Sequence, residues 1–161
     1  MKIIIQVIVS IILLFPSCKQ REDCCVVIDT AINILFVDQK GDNIFTVDST
    51  GLVITNDISI DYVVAGEKER ARNAFFFYTD YGYPVMSLFP NDIDYNGETL
   101  VNLGSLGTDT VRTEMKRGEN YTICTKVRYN GQLVFDVSSP TEEQIEKGRF
   151  IKVVKNIPDS E

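Results

Sequence analysis

The stretch "TDTVRTEMKRGENYTICTKVRYNGQLVFDV", residues 108–137, reads as three strands joined by two short turns. Thr110–Met115 and Tyr121–Tyr129 are rich in the branched and aromatic residues that suit a pleated surface, and "KRGEN" turns the chain between them. Asn130 and Gly131 form the pair favoured by a two-residue type I′ turn, because both central residues of that turn take positive φ. Gln132–Val137 then completes a meander.

The same grammar runs upstream. From Val26 to Val37 the residues Ile28, Thr30, Ile32, Ile34 and Phe36 alternate, which predicts one strand with a single face on a core. "DQKGDN" (38–43) is a turn, and a short strand at Ile44–Val47 ends at "DSTG". Ile58–Val64 is the next strand and "AGEKERAR" (65–72) a polar hairpin loop. Ala74–Thr79 is an aromatic strand, "DYGYP" a turn, Val85–Phe89 a strand, and "PNDIDYNGE" the longest polar loop. Thr99–Leu103 is parted from the opening stretch by Gly104 and Gly107. One segment reads as helix: Ser139 and Glu142 make a capping box, Pro140 fits the first helical position and Gly148 suits the exit. Phe150–Val154 is the last strand. Eight or nine short strands with turns about every 8 to 12 residues predict an all-β, antiparallel, immunoglobulin-like or transthyretin-like sandwich with one short helix. A lipocalin-like barrel is the alternative, disfavoured by the uneven strand lengths.

The first residues address the protein. Lys2 precedes Ile3–Leu14, apolar apart from Gln6 and Ser10, and Ser17 stands just before Cys18. The run falls short of the roughly 20 apolar residues needed to span a bilayer. It resembles a bacterial lipoprotein signal, with Phe15 and Pro16 departing from the usual residues before the cysteine. That resemblance implies a signal peptide over 1–17, lipid on Cys18, a tether over 18–25, a single domain over 26–156 and an acidic tail at 157–161. The expected partner is a membrane, reached through the lipid anchor, and the expected location is the bacterial outer membrane. Glu22 and Asp23 resemble surface-export signals but are interrupted by Lys19 and Arg21, leaving both the cell-surface and the periplasmic face open.

Phrases along the domain, "FVDQKGDNIF", "LFPN", "TDTVRTEM" and "KVRYNGQLVF", resemble a group of small uncharacterised β-sandwich lipoproteins of gut-type Gram-negative anaerobic bacteria. The likeness consists of strand and turn phrases; it implies a fold and an address, and no activity comes with it.

Composition excludes more than it assigns. With 23 acidic against 16 basic residues and a net charge of −7, nucleic acid is not an expected partner. The chain has no histidine, so Ser-His-Asp and Cys-His catalysis and imidazole metal sites are out of reach. Neighbouring Cys24 and Cys25 cannot bridge each other, since their Cα atoms stand about 3.8 Å apart and a disulfide wants about 5.5 Å. Either one of them pairs with Cys124, or all three remain thiols.

Few residues suggest a site. Asp92, Asp94 and Asn96 ahead of Gly97 offer alternate oxygens suited to calcium, but Leu103 occupies the position where a bidentate Glu belongs. Asp38 and Asp42 would be additional ligands; the competing reading is an ordinary Asx-rich turn. Tyr81 and Tyr83 could stack on a sugar or a peptide. Phe75 and Phe77 share one strand face, Phe76 and Tyr78 the other. Ser49 and Thr110, each after an aspartate and before a Thr or Val, resemble acceptors of bacterial O-glycosylation; Thr30 fits the pattern but faces the core by its alternation. The expected function is a membrane-anchored, non-catalytic accessory or interaction module that needs no cofactor and engages a protein or glycan. A calcium-assisted glycan-binding module is the alternative, and a carboxylate-dependent hydrolase ranks third.

Overall fold

The computed structural model describes residues 27–45, 57–80, 82–93 and 97–157. The meander at 108–137 forms much as expected. Strand β8 (Thr108–Gly118) pairs antiparallel with β9 (Tyr121–Tyr129), and β9 with β10 (Gln132–Asp136). Asn130 and Gly131 have φ of 48° and 83°, so the turn takes the backbone hand that makes Asn-Gly favourable there. The Asn130 side chain also accepts from the Thr110 amide at 2.8 Å, tying the turn back to β8.

Seven strands form the larger sheet, in the order β1-β9-β8-β7-β3-β4, with β10 also on β9. Here β1 is Val27–Asp29, β3 Ile58–Val64, β4 Glu67–Ala71 and β7 Glu98–Leu103. The smaller sheet runs β11-β2-β6-β5, with β2 at Ile32–Val37, β5 at Phe75–Asp80, β6 at Tyr83–Leu88 and β11 at Phe150–Val154. Among the described residues neither sheet closes on itself. The fold is therefore an all-β sandwich and not a closed barrel. Among the described strands, pairing is antiparallel except where β1 joins β9 and β11 joins β2, both parallel.

Three local readings are corrected. The strand expected over Val26–Val37 breaks at Thr30-Ala31 into β1 and β2, which belong to different sheets. The polar loop at 65–72 is mostly strand: only Ala65 and Gly66, with φ of 52° and 87°, turn the chain, and β4 follows as an edge strand. Its run of Glu67, Lys68, Glu69 and Arg70 looks like loop because charged residues are what protects a free sheet edge from pairing with another chain. The helix α1 (Glu142–Lys147) is capped by Thr141 with Gln144, not by Ser139 with Glu142. Gln144 is buried and also donates to the Val134 carbonyl at 2.8 Å, which explains why the box sits two residues later.

The core lies between the sheets. Ile32, Ile34 and Phe36 of β2 and Met86 and Leu88 of β6 face Ile60, Val101, Val111, Met115, Cys124 and Val127 of the larger sheet. Each such fully buried side chain contributes about 1.5 to 3 kcal/mol. Phe45 closes one end, edge-on to Phe36 at 5.4 Å and to Phe77 at 5.0 Å. The outer face of the larger sheet carries cross-strand ion pairs: Arg70–Asp61, Arg112–Glu98, and Lys126 with Glu114 and Asp136.

Candidate functional site

Strand alternation sends Phe75 and Phe77 inward, where they pack on the core, and Phe76 and Tyr78 outward, as the sequence predicts. Phe76 is 50% exposed, with Phe89 at 5.8 Å and Tyr78 at 6.3 Å between ring centroids. Phe89, 38% exposed, follows β6 and is fixed by its amide on the Ala74 carbonyl at 2.7 Å. The three rings form a row on the outer face of the smaller sheet, along β5, its edge strand among the described residues.

Further along the same face, Tyr83 is 51% exposed and pairs in register with Asp80. The two line a depression of about 180 Å³ together with Leu35, Val85, Glu143, Lys147 and Phe150. Its polar rim is already organised: Lys147 bridges Asp80 at 3.2 Å and Glu143 at 3.6 Å, and its ammonium stands 4.7 Å from the centre of the Phe150 ring. Burial and, after it, the Asp80 charge hold the Tyr78 phenol above its ordinary pKa. The face thus joins apolar rings to hydrogen-bonding groups, an arrangement suited to amphipathic ligands.

The other sequence candidates separate. Cys18, Cys24, Cys25, Ser49, Tyr81, Asp94 and Asn96 lie outside the described residues. Asp92 is half-buried in a loop whose base is held by Asn91. The Asn91 amide donates to the Thr99 hydroxyl at 2.8 Å, its side-chain nitrogen to the Val63 carbonyl at 3.0 Å, and its side-chain oxygen accepts from the Ile93 amide at 3.0 Å. Gly97 is required here by close approach, since a Cβ would overlap the Asn91 carbonyl. Asp38 uses one carboxylate oxygen to accept from the Lys40 and Asp42 amides, both at 2.8 Å, as an Asx turn does. Thr110 is half-buried on β8, and the aspartate before it points into the protein. Cys124 is a buried free thiol whose pKa burial pushes up to about 11.

A polar cluster that the sequence reading missed surrounds Asp109. Its carboxylate is buried beneath the β9–β10 turn, with one oxygen 2.5 Å from the Tyr129 hydroxyl and 2.5 Å from the Lys155 ammonium. The other oxygen accepts from the Asn130 side chain at 2.9 Å. Burial first, and then the hydrogen bond to Asp109, drive the Tyr129 pKa far upward, so the phenol keeps its proton. Tyr129 and Asn130 also line a cleft of about 380 Å³ beside β11. Two inward positions carried the signal: Asp109 alternates with Val111 and Thr113, and Lys155 with Ile151 and Val153.

Compared with protein-family models, with curated proteins and with solved structures, the chain matches none.

Proposed function

We infer that this protein is a membrane-anchored, non-catalytic interaction module, with the aromatic outer face of β5 and β6 as its working surface. The observation that carries the reading is the exposed row of Phe76, Tyr78 and Phe89 on the β5 edge of the smaller sheet, which pairs with no further strand among the described residues. Leaving two phenylalanines half in water forgoes burial worth on the order of 1 kcal/mol each, a cost that a bound partner removes. Sheet edges and the loops beside them are recurrent binding elements. The leader and Cys18 would tether this face to the outer membrane, within reach of other envelope components.

A photo-crosslinking residue at Phe76 in the native host tests the reading. A discrete adduct that disappears when Phe89 and Tyr83 are both changed to serine supports it; no adduct, or one indifferent to those changes, overturns it.

The depression beside the rings favours a second reading, a glycan-binding module. Exposed rings offer stacking surface to sugar C–H faces, and Asp80, Tyr83 and Glu143 offer partners to hydroxyls. A melting shift across a glycan panel, abolished by Tyr83→Ser, supports this reading. The same panel run with and without calcium tests whether Asp92, Asp94 and Asn96 assist.

A further inference from the structure

Lys155 and Asp109 come from opposite halves of the sandwich. Asp109 is the second residue of β8 in the larger sheet, and Lys155 directly follows β11 in the smaller. Their side chains are 6% and 13% exposed, and the nitrogen stands 2.5 Å from a carboxylate oxygen. Charge-assisted N–H···O contacts usually span about 2.7 to 2.9 Å, so this one is compressed. It also places the nitrogen within about 3.7 Å of the carboxyl carbon, since a C–O bond adds at most about 1.2 Å.

We propose that Lys155 and Asp109 condense into an intramolecular amide that covalently joins the two sheets. The starting pair is an ammonium and a carboxylate, and the products are one amide and one water. A proton first passes from Nζ to the near oxygen, which leaves an amine and a carboxylic acid. The 2.5 Å contact gives this transfer a direct path along a single hydrogen bond. The nitrogen lone pair then attacks the carboxyl carbon. Negative charge gathers on the far oxygen, where the Asn130 side chain already donates at 2.9 Å. The near carbon–oxygen bond breaks, and that oxygen leaves as water with two of the three ammonium protons. The Tyr129 hydroxyl, on the same oxygen at 2.5 Å, relays the second of them. No oxidant, metal or cofactor is consumed.

The framework holds both reactants in place. The Lys155 amide donates to the Val37 carbonyl at 2.8 Å, and Asn130 grips β8 through the Thr110 amide at 2.8 Å. Groups fixed in this way react at effective concentrations of about 10⁵ to 10⁸ M, which reverses the usual preference of water for hydrolysing an amide. Tyr129 and Asn130 border an open cleft through which the released water can leave.

Peptide mapping of the purified full chain by tandem mass spectrometry tests this directly. The expected result is a branched species joining the peptides that contain residues 109 and 155, lighter than their sum by one water, with tryptic cleavage after Lys155 blocked. Lys155→Arg keeps the charge but cannot form the amide, so it should restore the full mass. Tyr129→Phe keeps the ring and should slow the linkage, leaving a mixture. Unlinked peptides at full mass from folded wild-type protein would overturn the proposal. Loss of the same water in Lys155→Arg would overturn it too, by placing the dehydration elsewhere.

Discussion

Arg149 clamps the corner at which the chain leaves one sheet for the other: its Nε donates to the Ala31 carbonyl at 2.8 Å, and its guanidinium pairs with Asp29. Ala31 is the second of the two residues between β1 and β2, so an arginine beside β11 secures the break that follows β1. The Arg149 carbonyl in turn accepts from the Asn33 amide at 2.8 Å, setting the register of β11 on β2.

Replacing Arg149 with alanine therefore removes a hydrogen bond from a charged donor together with its ion pair. A loss of about 2 kcal/mol is expected in urea unfolding, with Lys recovering part of it. Amide exchange should rise first at Val27–Asp29, because among the described residues this three-residue strand is otherwise attached through its pairing with β9. Unchanged exchange there would show that β1 is held by its pairing with β9 alone.

That corner also marks the limit of what the sequence could show. Apolar residues stay in phase from Ile28 through Phe36, so the alternation predicts one strand, and nothing local records that Ile28 is exposed while Ile32 is buried. The break exists because two sheets compete for the segment, which is a tertiary fact. Where local chemistry decides, the reading was close: Asn130-Gly131 turns as expected, and Tyr121–Tyr129 and Phe150–Val154 end where expected. The aromatic face was half legible, since alternation separated Phe76 from Phe77 but could not place Phe89 beside Phe76. Alternation marks Asp109 and Lys155 as inward, but that the two meet was not legible, because it depends on how the two sheets stack.

The cap that forms differs from the one the sequence predicts, and the difference is measurable. The Thr141 hydroxyl accepts from the Gln144 amide at 3.2 Å and the Gln144 side-chain oxygen accepts from the Thr141 amide at 3.1 Å, whereas Ser139 sits in the turn after β10 with its amide donating to the Asp136 carbonyl. Thr141→Ala should cost about 1 kcal/mol and Ser139→Ala a few tenths. Chemical denaturation of the two variants should rank them in this order; the reverse order would return the cap to Ser139.

Cys124 gives the fold a pH dependence of known sign. Burial raises the thiol from its ordinary value near 9 to about 11, so the folded state keeps a proton that the unfolded chain gives up. Stability is fully present below about pH 9 and falls as the pH climbs through 11, by about 2 to 3 kcal/mol for a shift of this size. Tyr129, raised in the same direction, adds to the decline above pH 10. Cys124→Ala should flatten the curve between pH 9 and 11 and leave the Tyr129 part in place. The native thiol should also resist alkylation at pH 8 and react once the chain is unfolded.

Neighbouring phenylalanines on β5 offer the sharpest separation of stability from binding. Phe77 packs edge-on to Phe45 at 5.0 Å and to Phe75 at 6.0 Å against the core, so Phe77→Ala should cost about 2 to 4 kcal/mol. Phe76, one residue earlier and facing outward, touches only Tyr78 and Phe89 among the described rings. Phe76→Ser should cost about 1 kcal/mol or less, mostly through lost strand propensity. If the outer face is the working surface, Phe76→Ser abolishes partner capture at a temperature where the protein is still fully folded, while Phe77→Ala weakens capture only as far as it unfolds the chain. Equal stability losses in the two variants would mean that the outward rings are buried by something within the protein itself, and the binding face would then have to be sought elsewhere.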